Sequence, residues 1–415
     1  MRINLLSFLF LLATLCFTII IQAQHDRFVY AITDLQQAGS GWNALRKLDL
    51  KSGEYSPVLL NGTDATVPIY DATTRNAFKV APDLRYGNIM QTPFNTGVAA
   101  MAYDKKNNRI YFTPMFIDQL RYIDLKTMKV FYINDQPFTG FGNMHNEEGK
   151  IISRMVIAPD GMGYAITNDG SSLIKFTTGK KIQITQLGSL ADDPANDAVS
   201  IHNRCSSWGG DIVADNEGNL YIFSNRNSVY KINTVTKVAK LLGYIKGLPE
   251  GFTTNGAVVT NEGKILVSSA VNDKAYFIVD SKSWTASEYK YAPFVFRSSD
   301  LANSNYLQTK PGTSVPEFVT RRAPETMMAE KIMIYPNPVT HDQFTLQFGK
   351  ITTGNYNIEL TDVMGRLIMQ KGVNVAAEDQ VETISLKSAT ARGVYLIKVS
   401  DKNGKSVISQ KLVVQ

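Results

Sequence analysis

The sequence has few cysteines and few charged residues, and both facts limit the kinds of protein that it can be. Only Cys16 and Cys205 occur among 415 residues, and charged residues make up 19% of them. Cys16 lies in a segment that we expect to be removed, so the mature chain would carry one thiol and no internal disulfide. A chain of this length can bury a core without disulfides, even outside the cell. We expect Cys205 to be buried beside a surface His202, and not to be a nucleophile or a zinc ligand.

Several catalytic motifs are also missing. The chain has no glycine-rich phosphate loop, no G-x-S-x-G sequence and no H-E-x-x-H sequence, so no local signature of these chemistries is present. Its net charge is +6, but the basic residues are scattered one or two at a time. Scattered charge is typical of a solvated surface, and we therefore expect no nucleic-acid partner.

Long apolar runs are confined to the N-terminus. Arg2 precedes an almost unbroken apolar stretch over residues 5–21, and the small residue Ala23 follows it. This order predicts a signal peptide over residues 1–23, cleaved between Ala23 and Gln24. A retained anchor and lipidation at Cys16 are the alternatives. Lipidation is disfavoured because Leu15, not a small residue, precedes Cys16.

The middle of the chain, by contrast, is rich in short strand-like runs. Its many aromatic and β-branched residues favour strands; the chain has 19 Tyr and 20 Phe. Four segments predict hairpins, at residues 98–112, 155–166, 211–223 and 257–268. Each is followed by a second strand pair, at residues 119–133, 172–187, 228–242 and 274–289. Four antiparallel strands recurring about every 50 residues predict an all-β fold, a β-propeller over residues 24–308.

The two ends of this region complete the pattern. Residues 28–34 and 43–59 supply three strands without a first one, and residues 298–307 form an orphan first strand. Pairing the orphan with the N-terminal set would close the ring and remove its exposed edges. Five blades are favoured, and six remain open if residues 61–97 contain another strand set. The strand rhythm resembles that of secreted propellers of the NHL or YncE-like kind.

After a linker over residues 309–331, rich in Pro, Gly and mixed charge, a second domain is predicted at residues 332–415. Its short alternating runs and regular turns indicate a small Ig-like antiparallel β-sandwich. Four landmarks occur in order. They are Tyr335-Pro336-Asn337-Pro338, the turn from Asp362 through Gly365 to Arg366, the strand that contains Gly393 and Tyr395, and the terminal Lys411-Leu412-Val413-Val414.

Together these landmarks resemble the type A C-terminal sorting domain of the type IX secretion system of Bacteroidetes. The resemblance implies passage across both membranes to the cell surface or the medium. It also implies recognition by the type IX secretion machinery through the exposed ends, especially residues 411–414. Removal of the domain by a sortase-like peptidase, and attachment of the product to surface lipopolysaccharide or its release, are further implications.

Unequal loop lengths predict a binding face on the propeller. The connections that leave each fourth strand are long, at residues 61–96, 134–150, 188–207 and 243–255, and all lie on one face. Aromatic side chains on such a face suit contact with sugar rings or peptide side chains. We therefore predict a glycan- or protein-binding face that contains Tyr70, Phe94, Phe138, Phe141, His145, Glu147, His202, Trp208 and Phe252.

A metal-dependent hydrolase is the alternative, and no catalytic residues are assigned. Asp211 and Asp300 occupy equivalent positions at the start of predicted inner strands, near the channel mouth. With Glu147, His145 and His202 they could hold a divalent cation such as calcium. Gluconolactonase-like propellers use a metal in that place. The acids form no local motif, so binding is favoured over catalysis.

Overall fold

The computed structural model describes residues 26–77, 79, 91–141, 147–197, 199–290, 294–309, 332–335, 337, 339, 343–349, 351–362, 366–376, 380–386 and 391–414. The chain forms two compact units, Met1–Thr320 and Arg321–Gln415. The fold is all-β, as predicted, with 3% of residues in helix. None of the described helical segments has the length or apolar character of a membrane span. The predicted signal peptide and its cleavage site, Ala23 and Gln24, lie outside the described residues.

Short strands make up most of the first unit. They are β1 Phe28–Thr33, β2 Ala44–Asp49, β3 Leu60–Asn61, β4 Ile69–Asp71, β5 Val98–Asp104, β6 Arg109–Pro114, β7 Arg121–Asp124, β8 Lys129–Tyr132, β9 Ile152–Ile157, β10 Gly163–Thr167, β11 Leu173–Phe176, β12 Ile184–Gly188, β13 Ala191–Asp192, β14 Asp211–Ala214, β15 Leu220–Phe223, β16 Ser228–Ile232, β17 Val238–Tyr244, β18 Gly256–Val259, β19 Ile265–Ser268, β20 Phe277–Asp280, β21 Thr285–Glu288 and β22 Ser298–Ala302. A four-residue helix, α1 (Arg204–Ser207), and two 3-10 turns, Glu148–Lys150 and Pro194–Asn196, interrupt them.

These strands form five sheets, here named S1 to S5. Their strand orders are β22-β1-β2-β3 in S1, β4-β8-β7-β6-β5 in S2, β12-β11-β10-β9 in S3, β13-β17-β16-β15-β14 in S4 and β18-β19-β20-β21 in S5. The inner strands contact one another in the order β22, β5, β9, β14, β18 and back to β22. They surround a cavity of about 20 Å³ with apolar side chains from all five sheets, including Ala102, Val156, Val213, Val258 and Ala302. A space of that size holds about one water molecule.

Sheet S1 joins the two ends of the unit. Strand β22 pairs antiparallel with β1, with Asp300 opposite Ile32. The strand ends at Ala302, which corrects the prediction that it runs to residue 307. The side chains of Asn303 and Asn305 each donate a hydrogen bond to the Val259 carbonyl oxygen, at 2.7 and 3.0 Å. These bonds draw the chain away from the sheet and across the end of the cavity.

The long connections between sheets pair with outer strand edges. Strand β4 pairs parallel with β8, and β13 pairs parallel with β17. In S5 the same place is taken by a single parallel bridge between Lys246 and Thr285. In S3 the Gln136 side chain substitutes for a strand: its amide donates to the Ile182 carbonyl and accepts from the Ile184 N–H, both at 2.9 Å. Backbone groups that would otherwise face solvent are thereby paired.

Side chains that pack between neighbouring sheets form the core of the first unit. Phe176 illustrates how tight this packing is, because a Cβ added to Gly163 would lie 2.0 Å from its ring. The glycine is therefore needed for space at that position. Buried Arg121 stacks over the Tyr132 ring at 3.7 Å and donates to the carbonyl oxygens of Thr92 and Pro93 at 2.9 and 2.5 Å.

The second unit consists of two antiparallel sheets that share one core. Its strands are β23 Ile332–Tyr335, β24 Gln343–Phe348, β25 Gly354–Asp362, β26 Leu367–Val375, β27 Gln380–Ser385, β28 Gly393–Asp401 and β29 Ser406–Val414. The orders are β23-β24-β27 and β26-β25-β28-β29. Alternate side chains from both sheets, such as Phe344, Leu346, Ile358 and Ile397, are buried together. This alternation is the pattern on which the sandwich prediction rested.

We predict that Gln136→Ala destabilises the first unit by about 1–3 kcal/mol, since two backbone groups lose their partner. Hydrogen exchange at the Ile184 amide should accelerate, because this amide donates to the Gln136 side chain. Urea unfolding and hydrogen exchange would measure the two effects. Gln183→Ala is the matched control, being an exposed amide nearby. Equal effects of the two variants would contradict the edge-covering role.

Candidate binding faces and the sorting domain

The predicted loop-face aromatics separate into buried and accessible groups. Phe94, Phe138 and Phe252 are 0–3% exposed and pack against Phe112, Phe176 and Phe277, respectively. Their rings fill gaps between loop and sheet, so the prediction that these three side chains face a ligand is wrong. Tyr70 is half-buried on β4, with its ring 5.4 Å from that of Phe131.

Phe141 is the most exposed of the predicted aromatics in the described chain, at 42%. Its loop is fixed by the buried carboxylate of Asp118, which accepts the backbone N–H groups of Thr139, Gly140 and Phe141 at 2.6, 2.9 and 3.1 Å. The Lys150 ammonium lies 5.0 Å from the centre of the Phe141 ring. An ordered loop therefore presents this ring to solvent beside a cation.

A polar network connects Lys150 to the other predicted residues. Lys150 pairs with Asp169 at 2.9 Å, and the Asp169 carbonyl oxygen lies 2.6 Å from Nδ1 of His202. The His202 carbonyl in turn accepts from the Trp208 indole at 3.0 Å. Phe141, His202 and Trp208 thus belong to one surface region. Glu147 is exposed at its edge, and His145 lies outside the described residues.

The Cys205 thiol is exposed, which corrects the prediction that it is buried. The side chain of Asn203 caps helix α1 by accepting the Cys205 N–H at 2.8 Å. This cap turns Ser206 and Ser207 towards the interior. Cys205 consequently points outward on the same short turn.

Asp211 and Asp300 do approach each other, but in the interior. Both are 0% exposed. Asp211 accepts the backbone N–H groups of Ile212 and Ala257, each at 2.7 Å. Neither carboxylate oxygen of Asp300 has a partner in full hydrogen-bond geometry among the described residues, and the Met101 N–H is the one backbone donor that acts to lower its pKa. Burial raises the pKa of both groups well above the ordinary value, and the negative charge of Asp211 raises the pKa of Asp300 further.

The predicted set of metal ligands is not assembled in the described part of the chain. No group of three or more His, Cys, Asp or Glu side chains is placed there to hold an ion. Arg154, the nearby cation, is fully buried, and burial lowers its pKa to about 10. It donates to the carbonyl oxygens of Thr167 and Gly209, at 3.0 and 2.9 Å. Its guanidinium therefore holds loops together at the end of the inner strands.

A larger cavity opens on the opposite face, where the turns are short. It has a volume of about 740 Å³ and is lined from three directions. The β5–β6 turn contributes Tyr103 to Lys106, and S3 contributes residues around Asp160 and Thr178. The segment after β22 contributes Ser304, Asn305, Tyr306 and Gln308. We call this space the turn-face pocket. Loop lengths do not indicate this pocket, because its walls come from turns that are individually short.

The segment over residues 303–309 builds one wall of this pocket. Its Leu307 forms a parallel bridge with Asp215 of S4. Its Asn305 accepts the Asp26 N–H at 2.6 Å, and Ser304 Oγ donates to the Asp26 carboxylate. The segment is thereby tied to the start of the described chain and to S4. Tyr306 lies between these ties and lines the pocket.

In the second unit, the Asn337 side chain holds the terminal strand. Its amide donates to the Lys411 carbonyl at 2.7 Å, and its oxygen accepts the Val413 N–H at 2.9 Å. Val339 adds a backbone bond to Val413 at 2.7 Å. Leu412 and Val414 point into the core, while Lys411 is exposed. The first and last of the four landmarks are therefore one structural feature.

The other landmarks also have local roles. The Asp362 carboxylate accepts hydrogen bonds from the backbone N–H of Arg366 at 3.0 Å and from its guanidinium Nε at 2.7 Å. These bonds link the last residue of β25 to the residue before β26. Gly393 begins β28, and the buried Tyr395 donates its hydroxyl to the Ala391 carbonyl at 2.5 Å. Gly365, Pro336, Pro338 and the side chain of Tyr335 lie outside the described set.

Residues 333–415 match the family described as the secretion system C-terminal sorting domain. The C-terminal unit is a type IX secretion sorting domain. The sorting domain marks the chain for export through the type IX machinery to the cell surface or the extracellular space. The resemblance given by the four landmarks is thus confirmed.

Three solved structures are similar to the chain. The extracellular domain of the putative one-component system BT4673 from B. thetaiotaomicron is 12% identical, with 90% of this chain and 46% of that chain covered and a TM-score of 0.29. PorZ, a surface component of the type IX secretion system of Porphyromonas gingivalis, is 13% identical, with 93% and 51% covered and a TM-score of 0.26. A streptogramin B lyase is 14% identical, with 65% and 84% covered and a TM-score of 0.34. This chain spans about half the length of the first two. No curated protein matches the sequence.

The buried Asp300 predicts a specific pH dependence. Its folded-state pKa is raised above the value of about 3.9 for an unfolded aspartate. The associated stability is therefore complete below about pH 4 and is lost as pH rises through the folded pKa. Asp300→Asn should flatten this decline and raise the free energy of unfolding at pH 8 by about 1–3 kcal/mol. Urea unfolding between pH 4 and 8 would measure it.

Asp280→Asn is the control of opposite sign. The Ser283 and Lys282 amides lower the pKa of this exposed turn residue. Its stabilisation is present above pH 4 and is lost as pH falls through its folded pKa. The control variant should therefore be less stable than the wild type at pH 8. Parallel pH profiles for wild type and Asp300→Asn would contradict the assignment of Asp300.

Asn337→Ala should loosen the terminal strand of the sorting domain. Loss of two backbone partners is expected to cost about 1–3 kcal/mol of domain stability and to accelerate exchange at the Val413 amide. Asn403→Ala, in the exposed turn between β28 and β29, is the control. Unchanged exchange at Val413 in Asn337→Ala would refute this role.

Proposed function

We propose that this protein is a binding protein, built on a closed five-bladed β-propeller, that acts outside the cell after type IX export. The export step follows from the sorting domain at residues 333–415, and this observation carries the proposal. The proposal includes the predicted domain boundaries. They are a signal peptide over residues 1–23, a propeller over residues 24–308, a linker over residues 309–331 and a sorting domain over residues 332–415. A glycan or a protein is the proposed class of ligand.

The arrangement of the sheets supports a closed propeller. Each of the five sheets contributes one inner strand to a continuous ring of contacts. The first sheet combines strands from the start and the end of the unit, with β22 beside β1. Pairing of this kind joins the ends of a circular array and removes two open edges.

Binding is better supported than metal-dependent hydrolysis. Asp211 and Asp300, the proposed ligands of a cation, are enclosed in the interior, and burial favours their neutral forms. The accessible features are an ordered aromatic ring beside a cation on one face and a wide pocket on the other. Both suit recognition of a ligand from solvent.

Downstream of export, a sortase-like peptidase would cut the chain before the sorting domain. The product would then be linked to surface lipopolysaccharide or released. The position of the predicted linker supports this order: Thr309, at its start, still bonds to Asn216 of the first unit, and the first strand of the sorting domain begins at Ile332. Cleavage there would leave both folded units intact.

Deletion of residues 332–415 should trap the first unit in the periplasm. The expected result is loss of surface and medium signal, measured by fractionation and immunoblotting in a host that has the type IX system. Full-length protein carrying Asn403→Ala controls for an altered but complete sorting domain. The exported form of the full-length protein should be shorter than the periplasmic form by about the mass of the sorting domain. A deletion product that still reached the surface would contradict the proposed route.

Binding is tested separately from export. The purified full-length protein should retain a component of envelope or extracellular material in a pull-down, and mass spectrometry and sugar analysis would define its class. If the exported protein retained nothing from either source, the binding proposal would fail while the export route stood.

A further inference from the structure

We infer that the turn-face pocket is the ligand site of this protein and that it binds a neutral oligosaccharide. This inference rests on the proposed binding function and identifies its site and ligand class. The pocket volume of about 740 Å³ lies within the range of about 300–1,000 Å³ that is typical of small-molecule sites.

Two tyrosine rings give the pocket flat, fixed walls. Tyr103 is half-buried and is held against Tyr30, with ring centres 4.9 Å apart. The second ring, Tyr306, packs against an apolar cluster of S3 and S4. Rings that are already fixed lose little entropy when a ligand stacks on them. Met162 and Ile157 add apolar surface between them.

The polar groups around these rings suit hydroxyl groups. Burial acts to raise the pKa of Asp160, but hydrogen bonds from the Met162 amide and Lys175 outweigh burial, and the pKa is lowered. The Asp160 carboxylate is therefore a hydrogen-bond acceptor at neutral pH. Burial and the charges of Asp104 and Asp160 raise the pKa of Tyr306, so its hydroxyl keeps its proton and can donate. Thr178 adds a hydroxyl that can do both. A polyhydroxylated ligand matches such a mixture of acceptors and donors.

The balance of charge favours a neutral ligand. Asp104 and Asp160 line the pocket together with Lys105 and Lys106. Lys105 pairs with Asp26 at 2.7 Å and Asp160 pairs with Lys175 at 3.1 Å, so one charge of each sign is already compensated. Two carboxylates and two ammonium groups line this space, so it has no excess of one sign that would attract a charged polymer. A neutral sugar needs no such excess.

The test uses full-length protein and a panel of neutral trisaccharides built from glucose, mannose or N-acetylglucosamine, with binding measured by calorimetry. At least one sugar should bind. Tyr306→Ala should weaken binding about tenfold or more, because a stacking surface is lost. Tyr306→Phe keeps that surface and should lose less. Thr178→Trp should also abolish binding by filling the pocket from the opposite wall, while Tyr306 stays in place.

Phe294→Ala is the matched control, since it removes another exposed ring, one that does not line the pocket. It should leave sugar affinity unchanged, and melting temperatures would confirm that each variant folds. The inference is overturned if no panel sugar binds at about 10 mM, which is about ten times a weak Kd of about 1 mM, or if Phe141→Ala and not Tyr306→Ala lowers affinity. In each case envelope pull-down would still report separately on the broader binding function.

Discussion

The pairing of sheet edges is the constraint on which the rest of the first unit depends. Five small sheets have ten lateral edges, and an unpaired edge exposes backbone groups that invite aggregation. Inner edges are enclosed by the ring of contacts among β22, β5, β9, β14 and β18. Outer edges in four sheets are covered by the connection that leads into the same sheet. The long connections thus cover strand edges, and only side chains that project from the covered edges into solvent are available to a ligand.

This constraint explains why aromatic residues in the long connections are not all accessible to a ligand. The segments that pair with outer edges must be long enough to travel across a sheet, so their length reflects that distance. Their aromatic side chains fill the space between the connection and the sheet, as Phe94, Phe138 and Phe252 do. The short turns on the other face have no edge to cover. Their side chains are free to line a pocket, and the crossing segment at residues 303–309 supplies its missing wall.

The strands and their grouping could be predicted because a period of two in hydrophobicity reports directly on a two-sided sheet. The edge segments could not, since two or three residues such as Ala191–Asp192 carry no period. Burial in loops was equally hidden: Phe138 and Phe141 are close in sequence, yet one is buried and the other is exposed. Asp211 and Asp300 were predicted at equivalent positions near the channel mouth, but their burial depends on neighbouring sheets. The turn-face pocket joins Tyr103 and Tyr306, which are far apart in the chain, so no local pattern marks it.

The hydrogen bond between Asp26 and Asn305, which are 279 positions apart, has a consequence for the order of folding. A polypeptide that emerges N-terminus first cannot complete sheet S1 until β22 has also emerged. Until then, β1 has no inner neighbour, and contacts of such long range form slowly. The first unit therefore cannot close until almost all of its residues have emerged. Because the sorting domain follows in sequence, the first unit becomes complete only shortly before the sorting domain itself can fold.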